Sequence, residues 1–81
     1  MNYDRVWIVT FVNRSGYYVF STLEKAYEFM YKMVDTIVAD KEENMDIKNE
    51  LHEDFLSFGL GGLTFGVTDY GYAEPVSVDA M

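Results

Sequence analysis

The chain predicts an α+β fold: an antiparallel sheet of three to four strands with two helices packed on one face, in the order β-β-α-α-β-β. Three observations lead there. Runs rich in aromatic and β-branched residues stand towards both ends of the 81-residue sequence. Two stretches of helical apolar spacing lie between them. Glycine-bearing turns separate the runs. No repeat or linker divides the sequence, so residues 1–81 read as a single acidic domain.

Residues 5–12 and 17–20 read as strands joined by the loop Asn13-Arg14-Ser15-Gly16, in which Gly16 can take a positive φ. In the first strand Val6, Ile8, Thr10 and Val12 alternate with Trp7, Val9 and Phe11. Both faces are therefore largely apolar, as in a central strand or one whose outer face meets another molecule. Ser21 opens a helix, with Glu24 completing a capping box. Leu23, Tyr27, Met30, Val34 and Ile37 then follow at spacings of four and three, forming an apolar seam widened by Ala26 and Met33. The period is lost over Asp40–Asn44, which reads as a break. A second helix is expected from about Met45 to Phe58, burying Ile47, Leu51, Phe55 and Phe58 and stopped by Gly59. Leu63, Phe65 and Val67 mark a third strand. Residues 72–78 are a candidate fourth, which Pro75 confines to an edge or makes irregular.

Composition narrows the function. There is no Cys, so neither disulfides nor a thiolate metal site can staple the fold, and burial must stabilise it. Fourteen Asp and Glu stand against six Lys and Arg, a formal net charge of −8. That excludes direct nucleic-acid binding, which needs clustered cations, and an anionic membrane surface would repel the chain. A basic protein surface is the electrostatic complement. The apolar run Val6–Val12 is too short for a signal peptide or a membrane span, so a cytoplasmic setting is the expectation.

Half of the acids fall between Asp40 and Asp54. At ~100° and ~1.5 Å per residue, Glu43, Asp46, Glu50, Glu53 and Asp54 share an arc of about 100° and about 17 Å of helix, or one charge per ~3.4 Å, near the spacing along one DNA strand. Asp40 and Glu42 extend the row through the expected turn. Such a row suits a groove that normally holds a phosphate backbone. It equally suits a dense solvated face, with Lys41 and Lys48 partly neutralising it. A calcium loop begun at Asp40 fails, because Met45 and Leu51 stand where glycine and glutamate are required. No cofactor is called for.

Catalytic constellations are thin. His52 is the only histidine, too few ligands for a zinc site, and no nucleophile-elbow sequence surrounds Ser15, Ser21, Ser57 or Ser77. The run Gly59–Gly66 follows a helix and enters a strand, the reverse of a phosphate loop. Tyrosines are more suggestive, since they bury well while keeping a polar tip. Tyr17 and Tyr18 point to opposite faces of the hairpin, and Tyr31 lies off the main helix seam.

The stretch Trp7-Ile8-Val9-Thr10-Phe11, the Gly16 turn and Tyr18-Val19-Phe20-Ser21-Thr22-Leu23-Glu24-Lys25-Ala26-Tyr27 resembles the hairpin-then-helix start of many small bacteriophage proteins. As a type, a small, Cys-free, strongly acidic chain also resembles phage anti-defence inhibitors, anti-CRISPR proteins and DNA mimics among them. That resemblance implies a non-enzymatic inhibitor that blocks a basic, nucleic-acid-binding host protein such as a CRISPR effector, in the host cytoplasm. Asp40, Glu42, Glu43, Asp46, Glu50, Glu53 and Asp54 would supply the charge, and Tyr31 an aromatic anchor. The alternative is a self-associating module, a homodimer that buries Trp7, Tyr17 and Tyr18 and keeps its acids only for solubility.

Overall fold

The computed structural model describes residues 4–78. Their order is β1 (Asp4–Phe11), β2 (Tyr18–Phe20), α1 (Leu23–Ile37), α2 (Lys41–Ser57), a single 3-10 turn (Gly59–Gly61), β3 (Phe65–Val67) and β4 (Gly71–Val78). The strands form one antiparallel sheet in spatial order β2-β1-β4-β3. The β-β-α-α-β-β arrangement is as the sequence predicts, and the fourth strand forms.

That strand is central, however, and not at an edge. β4 pairs with β1 along its whole length, from Asp4↔Val78 to Phe11↔Gly71. Pro75 fits because β3 pairs with β4 only as far as Ala73. The Val12 N–H donates to the Tyr70 carbonyl at 2.9 Å. Antiparallel alternation then turns the backbone groups of Tyr72 and Glu74 towards β1 and those of Pro75 away from it. The missing donor thus falls where β4 has no neighbour.

The helix ends also differ in detail from the sequence pattern. Thr22, not Ser21, caps α1, its hydroxyl accepting the Lys25 N–H at 3.2 Å. One residue of shift puts Lys25 where the capping box needs a carboxylate, so no box forms. The expected break over residues 40–44 shrinks to Val38–Asp40, because Asp40 caps α2 by accepting the Glu43 N–H at 2.9 Å. Gly59 is not a left-handed stop. It is buried, and a methyl group on its Cα would fall 3.0 Å from the rings of Phe55 and Phe65; the left-handed residue is Gly62 (φ 80°). Phe58 accordingly leaves the buried arc and is exposed.

α1 buries Ala26, Met30 and Val34, and α2 buries Ile47 and Leu51. Beneath them lie Trp7, Val9 and Phe11 of β1 with Phe65, Val67 and Ala73. Phe65 is the aromatic hub, with the rings of Trp7, Phe55 and Tyr27 at centroid distances of 5.7, 5.3 and 6.5 Å. Alternation along β1 does not by itself say which of its two apolar sets faces the helices; the bulkier set does. Val6, Ile8 and Thr10 therefore face the other way, opposite Val76, Glu74 and Tyr72 of β4, with Val19 of β2 beside Ile8. No helix covers that face among the described residues. None of the described helices is long and apolar enough to cross a membrane.

Candidate functional site

The acidic cluster lies on α2, and the structure divides it in two. Three of its carboxylates hold the fold. Asp40 is the α2 cap. Glu43 accepts a short hydrogen bond from the Tyr70 hydroxyl in the turn between β3 and β4. Asp54 is half-buried and accepts the backbone N–H of Gly66 at 2.7 Å, tying α2 to β3. Expected in the partner-facing row, these three are turned inward or occupied.

The other four are free. Glu42, Asp46, Glu50 and Glu53 are all exposed, and among the described residues none makes a hydrogen bond or ion pair. At ~100° per residue they fall within an arc of about 80° and extend over about 17 Å. With Glu43 and Asp54 withdrawn, the steps along the axis are about 6, 6 and 4.5 Å. The stripe is therefore sparser than the ~3.4 Å row expected from the whole cluster, and looser than the charge row of one DNA strand.

Its orientation follows from what flanks it. On one side α2 turns Asn44 and Lys48 towards α1. The Asn44 amide donates to the carbonyls of Val34 and Val38 at 3.3 and 3.2 Å, and Lys48 pairs with Asp35 at 2.8 Å. On the other side Glu43 and Asp54 meet the β3–β4 region. The free stripe looks outward, opposite Leu51. Lys48 therefore neutralises Asp35 and not the stripe. Met45 and Leu56, both exposed, border it as apolar neighbours.

The stripe is locally costly. Glu42/Asp46 and Asp46/Glu50 stand at i,i+4 and Glu50/Glu53 at i,i+3, each repelling by a few tenths of a kcal/mol. Glu53 also sits near the negative end of the helix dipole, where no basic residue occupies the last turn.

The aromatic candidates lie elsewhere. Tyr31 is on the α1 side of α2, with the Lys48 ammonium 4.7 Å above its ring, so it does not join the stripe. It lines an open groove between the helices with Tyr27, Lys32, Asn49 and His52. There the Tyr27 hydroxyl and His52 Nδ1 lie 2.9 Å apart. Burial, with the nearby Tyr31, pushes the Tyr27 hydroxyl above its ordinary value. His52 is thus a partner of Tyr27 and more than bare surface, which a single sequence cannot signal because the two residues lie on different helices. Trp7 is 5% exposed and packed inside the core at a tilt against Phe65, which removes it from any self-association surface. Tyr18 packs on Phe29 at 4.7 Å on the helix side of the sheet, while Tyr17 is exposed. No group of three or more His, Cys, Asp or Glu among the described residues is placed to hold a metal ion.

Two predictions arise here. Asp54→Ala is expected to lower stability by about 1–3 kcal/mol, since it strands the Gly66 N–H. Urea unfolding checks it. The second concerns pH. The hydrogen bond to Glu43, then burial, then the charges of Glu43 and Asp69 raise the Tyr70 hydroxyl above the ordinary tyrosine value of 10.0. A raised folded value means that its contribution is complete below the ordinary value and is lost as pH rises through the raised one. Alkaline titration of stability should thus fall less steeply for Tyr70→Phe than for the parent chain; equal slopes would count against the pair.

No protein-family model matches the chain, and no curated protein or solved structure does so either, so the meaning of the site comes from its own charge and geometry.

Proposed function

We propose that the chain is a non-enzymatic, anti-CRISPR-like inhibitor whose α2 stripe binds the basic groove of a nucleic-acid-binding protein and keeps nucleic acid out. One observation carries this reading. Four carboxylates, Glu42, Asp46, Glu50 and Glu53, share one exposed helix face and make no contact within the described chain, while their neighbours Asp40, Glu43 and Asp54 are all used by the fold. A face that costs helix stability and serves no internal contact has its use outside the molecule. Met45 and Leu56 beside the stripe supply apolar surface, which charge alone does not. The sparser spacing favours a general acidic fit to a cationic groove over a charge-by-charge copy of a phosphate row.

Affinity capture on the immobilised chain tests the reading. The expected result is a basic nucleic-acid-binding protein that added duplex DNA elutes and that rising salt releases steeply. Retention that is indifferent both to salt and to neutralising the four stripe residues would overturn it.

A further inference from the structure

We propose that the uncovered face of the sheet is a second docking surface, and that its occupant is an amphipathic helix carrying a basic residue within its apolar face. The register places Val6, Ile8, Val19, Tyr72 and Val76 on that face around Glu74. An antiparallel sheet with one wet face ordinarily alternates apolar-in with polar-out. Here the outward set is itself mostly branched and aromatic. Val19 and Tyr72 are 54% and 40% exposed, because no described element covers them.

Glu74 decides the chemistry of the occupant. It stands directly across from Ile8, with Val6 and Thr10 on the diagonals and Tyr72 and Val76 along its own strand, and it is only partly exposed. Among the described residues it has neither an ion pair nor a hydrogen-bond partner. Arg5, on the same pair of strands, points to the opposite face, where its guanidinium meets the Gly62 carbonyl at 3.4 Å. Anything that covers Glu74 with apolar surface alone strands a carboxylate. A covering surface must bring a cation to it.

Size decides between a helix and a second copy. β1 and β4 are eight residues each, about 26 Å long at ~3.3 Å per residue, while β2 and β3 are three residues each, about 10 Å, so the full-length part of the face is about 10 Å wide at ~4.8 Å spacing. The whole face is roughly 350 Å² in projection, short of the ~800 Å² per partner of a standard interface. A helix of about 17 residues, ~10 Å wide and ~26 Å long, matches the face. A second copy would instead set one formal charge of −8 against another and oppose acidic Glu74 with a chain of the same sign. The helix would complete a three-layer arrangement, helices on both sides of the sheet. This surface is on the opposite layer from the α2 stripe and does not depend on it.

The probe is a synthetic peptide of about 18 residues with a leucine face, one lysine in the middle of that face and neutral polar residues elsewhere, long enough to run the length of β1. Its counterpart carries glutamate in place of the lysine. Amide shifts in the isotope-labelled chain should concentrate on β1, β4 and β2, with the lysine peptide bound roughly tenfold or more tightly than the glutamate one. Glu74→Gln should abolish that preference. Ile8→Glu should weaken both peptides, and Val19→Glu, at a more open position, supplies the same test if Ile8→Glu does not fold. Neutralising Glu42, Asp46, Glu50 and Glu53 should leave peptide binding unchanged. Shifts confined to the helices, no preference for lysine, or a dimer in sedimentation that Val19→Glu dissolves would each overturn the proposal.

Discussion

Phe65→Ala is expected to cost about 3–5 kcal/mol, enough to unfold most of a chain this small at ordinary temperature. Phe65 is 1% exposed, the largest of the fully buried side chains. It sits where both helices and the sheet meet: Trp7 below, Phe55 edge-on from α2 at 5.3 Å, Tyr27 from α1, and the buried Gly59 against its ring edge. Removing the ring leaves a void whose walls belong to four different elements, so no single side chain can swing in to fill it. With no disulfide to hold the chain, nothing offsets the loss. Chemical denaturation, or the loss of near-ultraviolet ellipticity from the aromatic cluster, measures it. A cost below about 1 kcal/mol would mean that the packing around Phe65 is far looser than these ring distances imply.

Reversing Asp46, Glu50 and Glu53 to lysine together should produce the second large effect. The six units of charge change take the formal net charge from −8 to −2. Steering by opposite fields accelerates association by ~10- to 1000-fold at low salt, so the reversed chain should associate with a basic partner at least about tenfold more slowly. The same change should leave the fold intact or make it slightly firmer. Asp46→Lys turns the i,i+4 repulsion with Glu42 into an attraction, and Glu53→Lys puts a cation near the helix C-terminus, where the dipole favours it, while the three lysines repel one another about as the acids did. Slower binding with equal or greater stability is the signature of a face kept for recognition. A solvated face without a partner would show the stability change alone. Stopped-flow association at two ionic strengths beside a thermal melt separates these outcomes.

How much of this was legible in the sequence follows from the range of each interaction. The α1 seam could be read because Tyr27, Met30 and Val34 recur at a period set by the helix itself. Its cap could be read only to within one residue, since Ser21 and Thr22 both carry hydroxyls and only the backbone geometry selects between them. The first turn of α2 was hidden because Lys41–Asn44 has no apolar member facing the core. What nucleates it is the Asp40 cap. The division of the acidic cluster was hidden more deeply. Asp54 and Glu43 lie on the border between the acidic and apolar arcs of the wheel, and only β3 and the Tyr70 turn decide which way they face. The position of β4 depends on a pairing between the two ends of the sequence, which no local pattern encodes. Trp7 shows the same limit in miniature: alternation separates it from Val6 and Ile8 but cannot say which set is roofed.

The pairing of β1 with β4 has a consequence for the order in which the molecule comes into being. β1 is made before the other strands of this sheet, yet its longest partner is made after all of them, with Asp4 set against Val78. Until β4 has emerged, the nascent chain can hold only the three-pair hairpin with β2 and two helices with no complete floor beneath them. The aromatic side chains of β1 lack their full cover until β4 has been made. Folding of the sheet is therefore expected to be a single event that waits for β4, and slow because its main contact closes the longest loop. A chain halted before Gly71 should remain sensitive to protease throughout.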